Sequence, residues 1–266
     1  MSSGKVISNI LGQLKQSGRI VGSFPAEINA NGTTKLEHGL HLTNRILELK
    51  SFNPSLTKND FVGLLPQSRF SAPSIAESTL QFEAFKVRDP RYFQFKDKYQ
   101  LIFADYKSMR GFAQHTAFSR LDGSRIHLRP CKSHSPEARY SKYVTNLQAA
   151  FDSGNSYFQL IKNKSEPKLN EGITMESLRQ TAKPIEAQSL LVWNFPSNLA
   201  PYQVMDRFWF YDIKHCFKLY WDEATSRTLT FMAFNNKEDC VRFYRNFHGV
   251  YLREGDDCKL LVELLC

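Results

Sequence analysis

A chain of 266 residues has room for two domains of ordinary size, and with 42% apolar and 13% aromatic residues it can bury a core, which excludes wholesale disorder. Its net charge of +9 is uneven: +8 over residues 1–130, +2 over 131–186 and −1 over 187–266, so attraction to phosphate must come mainly from the first 186 residues.

Residues 1–43 carry no acid before Glu27. Lys5, Lys15, Arg19 and several serines surround Val6, Ile7, Ile10, Leu11 and Leu14, which share one helical face. This is the composition of a mitochondrial targeting segment, or of a surface helix docked on its own domain. Over residues 44–130 the pattern predicts a strand from Leu47, a helix over 58–65, strands over 80–87 and 99–103, a helix over 107–115 and a strand over 125–129. The Ser/Pro-containing stretch 67–78 reads as an insertion. Lys86, Arg88, Arg91, Lys96 and Lys98 cluster around Tyr92, Phe93 and Phe95, and Arg125, Arg129 and Lys132 follow. Interleaved rings and cations suit a groove that tracks a nucleic-acid backbone, although a charge run is commonly a solvated face.

Residues 131–186 form a connector. Tyr140, Tyr143, Val144, Leu147 and Phe151 recur at helical spacing over 138–151, residues 163–173 read as a polar linker, and 175–181 as a short helix. Residues 187–266 begin with a strand over 190–194 and a helix from Pro196 to about Tyr211, its face made by Leu199, Val204 and Phe208. Strands over 215–221 and 227–234 flank a polar hairpin loop. Asn236 caps a helix over 237–247, Gly249 stops it, and a last strand spans 260–265.

This β-α-β-β-α-β order resembles the RNA-recognition motif, whose sheet presents rings to single-stranded RNA, and residues 44–130 repeat it more faintly. The expected fold is α+β: two such sandwiches joined by a partly helical connector. In the motif's first-strand pattern the usual ring is replaced by Leu191, but Trp193 falls on the same face two residues later. In the third-strand pattern Arg227 keeps the basic position, Leu229 replaces one ring and Phe231 supplies the other. Trp193 and Phe231 are therefore the stacking candidates, with Lys218 and Tyr220 on the second strand adding a charge and a ring. The equivalent positions of the first module, Glu48, Lys98 and Gln100, carry no ring. The alternative is a covered sheet or a protein-binding platform, since the strand over 260–265 is apolar on both faces. The run Phe208-Trp209-Phe210-Tyr211 cannot all face one core, so Trp209, with Met205, is expected to dock a partner or, more simply, the first half of the chain.

The chain lacks a phosphate-binding glycine loop, a His-x-x-x-His pair and a nucleophile motif, and His38 and His41 have no third ligand. No catalytic residue, metal or cofactor is expected. Five cysteines in no ligand spacing argue for a reducing compartment, and no apolar run approaches the roughly 20 residues that span a bilayer.

Four strings carry a more specific resemblance: residues 86–97 (KVRDPRYFQFKD), residues 189–196 (SLLVWNFP), residues 208–211 (FWFY) and residues 217–222 (FKLYWD). From about Ser51 onward the chain resembles the yeast mitochondrial translational activators of the cytochrome c oxidase subunit III messenger RNA. The resemblance implies a matrix protein peripheral to the inner membrane, with no enzymatic activity. It would bind the 5′ leader of that message, act with other activators, load the message on the mitochondrial ribosome, and assist splicing of a subunit I intron. A scaffold that bridges other activators without touching RNA is the alternative.

Overall fold

A computed structural model describes residues 45–65, 81–131, 136–163, 175–222, 224–252 and 258–266. The expected targeting segment, the insertion at 67–78, Lys132 and nearly all of the polar linker lie outside the described residues.

The first module opens with β1 (Ile46–Lys50), in which Leu47 and Leu49 are buried and their neighbours are not, the period of a half-buried strand. Helix α1 (Lys58–Val62) is entered through a capping box made by Thr57 and Asp60. It stops at Gly63, short of the expected Leu65. Strands β2 (Phe82–Arg88) and β3 (Phe95–Phe103) form a hairpin, and α2 (Tyr106–His115) is capped by Asp105, which accepts from the Ser108 amide at 2.8 Å. The expected strand over 125–129 is divided. Arg120–Leu121 (β4) and Ser124–Arg125 (β5) make a separate hairpin, turned by Asp122 and Gly123 at φ 50° and 75°, and β6 (Leu128–Pro130) alone joins the sheet. An Asp-Gly pair with positive φ at both residues closes a two-residue hairpin. The sheet order is β6-β1-β3-β2.

The connector is more helical than its pattern suggests. It contains α3 (Pro136–Asp152), α4 (Gly154–Lys162) and α5 (Met175–Ala187), which runs on through Pro184 past the expected Thr181. Helix α4 was not expected. Ser153 caps it, accepting from the Ser156 amide at 3.0 Å, and Gly154 lets it start against Phe217, whose ring a Cβ would meet at 3.1 Å.

The second module comprises β7 (Ser189–Trp193), α6 (Pro201–Arg207), β8 (Ile213–Asp222), β9 (Arg227–Phe234), α7 (Lys237–Phe247) and β10 (Leu261–Leu264). Helix α6 is shorter than the expected span from Pro196 to Tyr211. Residues 196–199 form a turn, Pro201 occupies the first helical turn where its missing N–H costs nothing, and Phe208 ends the helix with a non-helical backbone. The sheet order is β10-β7-β9-β8, all antiparallel. In both modules the fourth strand lies beside the first and the third separates the first from the second. That arrangement of a βαββαβ chain is the RNA-recognition-motif fold, so the α+β expectation of two such sandwiches holds.

Among the described residues there are three apolar cores. Two lie between each sheet and its own helices, centred on Phe61, Tyr99 and Phe112 in the first module and on Phe208, Met232 and Phe243 in the second. The third lies on the opposite face of the second sheet, where Leu191, Phe217, Leu229 and Phe231 meet Tyr143, Val144 and Leu147 of α3 and Tyr157 of α4. Strand β9 is thus buried on both faces from Thr228 to Phe234. Helix α3 also reaches the first sheet, with Tyr140 edge-on to Phe85 at 5.4 Å.

Candidate nucleic-acid interface

The face of the second sheet that would stack bases is covered, partly by the connector and partly by the loop between β2 and β3. Asp89 organises that loop: its carboxylate accepts from the Arg91 and Tyr92 amides at 2.8 and 3.0 Å and pairs with Lys96 at 2.8 Å. Burial pushes the Asp89 carboxyl up, but Lys96 and the two amides outweigh it and hold the group below its usual range. The turn places Phe93 at φ 59°, a left-handed conformation rare for a bulky residue, and drives its ring to 5.6 Å from Phe231 and 5.7 Å from Tyr157. The buried Arg88 guanidinium donates to the Phe93 carbonyl at 2.8 Å, to Glu263 at 2.7 Å and to the Leu264 carbonyl at 3.1 Å. Asn146 of α3 donates to the Pro90 carbonyl at 2.7 Å, and the Tyr157 hydroxyl donates to the Arg91 carbonyl.

Several sequence expectations are corrected by this layer. Phe231 is wholly buried and has no open face for a base. Arg88 spends its donors inside the protein, so it is a structural residue and not a phosphate contact. Lys218 turns off the stacking face, its ammonium donating to the Ser197 carbonyl. Lys96 is exposed but bridged to Asp89, and Lys98 is bridged to Glu48 at 2.8 Å. Arg91 and Arg227 are exposed, with Arg91 5.2 Å above the Tyr92 ring, and Tyr220 stands edge-on to Tyr92 at 6.2 Å. Trp193 is half-buried. Trp209 does not dock on the first half: it is 79% exposed, while Met205 packs on the core of its own module.

A second buried group ties the connector in place. The Tyr143 hydroxyl donates to Glu186 at 2.8 Å, and burial raises the Glu186 carboxyl despite that bond and the nearby Arg88, Lys86 and Arg179. A carboxyl raised in the folded state stabilises the fold at low pH, and that contribution is lost as pH rises through the folded value. Glu186→Gln keeps an acceptor for Tyr143 without the buried charge. It is therefore expected to raise the urea midpoint at pH 7.5 and to flatten the fall in stability as pH rises above the ordinary carboxylate range, as measured by parallel titrations of both proteins.

The first module retains an open basic groove of about 540 Å³, lined by Lys50, Phe52, Lys98, Arg125, His127 and Arg129 among others. Register creates it, setting Lys50 opposite Lys98 and Arg129 opposite Glu48. Phe52 is 75% exposed with the Lys50 ammonium 5.2 Å from its ring centre, and Phe118 is 79% exposed with the Arg125 guanidinium at 5.3 Å. Arg125 and Arg129 both line this groove. Phe52, Phe118 and Lys50 were missed, because the two rings sit singly in loops and leave no periodic trace; their adjacency to cations in space was the available signal only for Lys50-Ser51-Phe52. Glu48 and Asp122 dilute the charge. Such a surface can hold phosphates by charge and bases by ring contact. Among the described residues no group of three or more His, Cys, Asp or Glu side chains is placed to hold a metal, and no helix is long and apolar enough to cross a membrane.

Residues 43–147 match the family model described as the Protein PET54 N-terminal domain. Among solved structures, the RRM3 domain of Mip6 shows 20% identity and a TM-score of 0.25 over 29% of this chain and 93% of that one. The three N-terminal RNA-binding domains of the yeast splicing factor Prp24 show 14% identity and a TM-score of 0.25 over 84% and 67%. The strand order, rather than these scores, establishes the fold. Protein PET54 of Saccharomyces bayanus is 34% identical over 99% of this chain and 98% of its own length, and Protein PET54 of Saccharomyces cerevisiae is 34% identical over 99% of each. At that identity over nearly the whole length of both relatives, the chain belongs to the PET54 family.

Proposed function

We propose that the chain is a non-enzymatic, message-specific activator of mitochondrial translation that binds the 5′ leader of the cytochrome c oxidase subunit III messenger RNA. It delivers that message to ribosomes at the inner membrane, from a peripheral position in the matrix and alongside other activators, and it assists splicing of a subunit I intron. The observation that carries the RNA contact is the open groove of the first module, with its cations and the cation-capped Phe52, beside a second sheet that is closed. RNA is held there through the backbone, with Arg125 and Arg129 as the principal phosphate contacts.

Charge reversal tests this. Arg125→Glu with Arg129→Glu is expected to weaken binding of single-stranded leader RNA about tenfold or more at physiological salt. It should also reduce the slope of log affinity against log salt by about 2, roughly one per lost phosphate contact. Filter binding at several salt concentrations measures both. A second reading, a scaffold joining other activators, is favoured by the exposure of Trp209 and its neighbour Phe210. Unchanged affinity and slope in the doubly reversed variant would favour it.

A further inference from the structure

A cleft of about 760 Å³ lies between the two modules, within the roughly 300–1,000 Å³ of preformed ligand sites. Residues 54–57, Gln94 and Phe95 of the first module form one wall, and Trp193, Tyr244, His248 and Leu261 of the second form the other. We infer that this cleft takes unstacked bases of the RNA strand whose phosphates occupy the neighbouring groove, an inference that rests on the RNA-binding reading.

Three observations carry it. First, the cations in the cleft walls are already engaged. Arg88 is spent on Glu263 and two carbonyls, and Lys86 donates to the Cys266 carbonyl at 2.8 Å. The cleft therefore suits an uncharged planar ring and not a phosphate. The apolar surfaces of Leu56, Phe95, Trp193 and Leu261 can contact such a ring, and Gln94 and His248 can bond its edge. Second, the cleft and the groove share a rim. The end of β1 and the loop after it give Lys50 and Phe52 to the groove and residues 54–57 to the cleft, and the start of β3 gives Lys98 to the groove and Asp97 to the cleft. From Phe52 to Ser55 the chain spans at most about 10 Å, so a strand crossing this loop passes directly from one to the other. Third, the cleft width is fixed. The bonds from Lys86 to Cys266 and from Arg88 to Glu263 and Leu264 tie the two walls together, so no ordering of modules is needed when RNA enters.

The test uses the full chain and a 12-nucleotide single-stranded RNA carrying 5-bromouridine, with ultraviolet crosslinking, mapping of adducts and affinity measurement. Adducts are expected on Trp193. Trp193→Ala should weaken binding about tenfold, the effect of one lost ring–base stack, and Trp193→Phe should stay within about threefold of the natural protein. Leu261 is 47% exposed at the cleft mouth, so Leu261→Glu leaves the core intact and is expected to weaken binding as much as Trp193→Ala. Normal affinity in both Trp193→Ala and Leu261→Glu, with loss in the Arg125/Arg129 variant, would overturn the cleft and leave the groove standing. Absence of RNA binding by the natural protein would overturn both. Protection of Trp193 by free uridine monophosphate, but not by the oligonucleotide, would reassign the cleft to a free nucleotide.

Discussion

Replacement of Arg88 by methionine is expected to lower the unfolding free energy by about 3 kcal/mol. The guanidinium is buried to within 2% of its side-chain surface and meets three acceptors, the Phe93 carbonyl, Glu263 and the Leu264 carbonyl. Methionine fills the volume but returns none of those bonds. Breaking a buried pair from one side costs about 3–5 kcal/mol, and the low end applies because Glu263 is 28% exposed and can rehydrate. Arg88→Lys should recover little, since a single ammonium cannot reach three acceptors that the planar fork spans. Urea titration followed by far-ultraviolet circular dichroism measures this. A loss below about 1 kcal/mol would mean that the pair is not what joins the loop to the last strand.

Phe93→Ala is expected to cost about 3–5 kcal/mol, the range for emptying a phenylalanine site in a packed core. Its ring touches Tyr143, Tyr157 and Phe231, so the cavity opens at the junction of the two modules and the connector. A local signature should accompany the global loss: amide hydrogen exchange in β8 and β9 should quicken more than in the first module, because their outer cover is loosened. Phe93→Gly should cost no more than Phe93→Ala, since glycine accepts the φ of 59° that alanine must strain to hold. Equal protection of β9 in the natural and variant proteins would show that the connector alone closes the sheet.

The second module was largely legible. Strand β9 and helix α7 fall on the residues expected, because an apolar run with β-branched and aromatic members, a capping Asn236 and an amphipathic stretch each leave a local signature. The covering of its sheet was legible as one of two readings, from the last strand's apolar residues on both faces. What covers it was not. Phe93 and Arg88 look in sequence like members of a basic, aromatic interface. They act through residues such as Phe231 and Glu263, more than 130 positions away, which no local pattern can report. The groove was half legible: Arg125 and Arg129 follow from charge, whereas Phe52 and Phe118 gain meaning only once β1, β6 and the β4–β5 hairpin are placed together. The turn at Asp122-Gly123 went unread because the strands it joins are only two residues each, too short to leave a periodic pattern.

The pairing of Arg88 with Glu263 also orders events during synthesis. Chains emerge from the N-terminus, and the first module can build its own core as soon as residues 45–130 are out. Its β2–β3 loop cannot settle then, because the carboxylate that Arg88 requires lies 175 positions further on. Until the final strand pairs with β7, Arg88 has no carboxylate partner, and the loop that carries Phe93 onto the second sheet is not tied down. The bond between the modules therefore forms only after the connector is in place, and until then the connector alone covers the outer face of the second sheet.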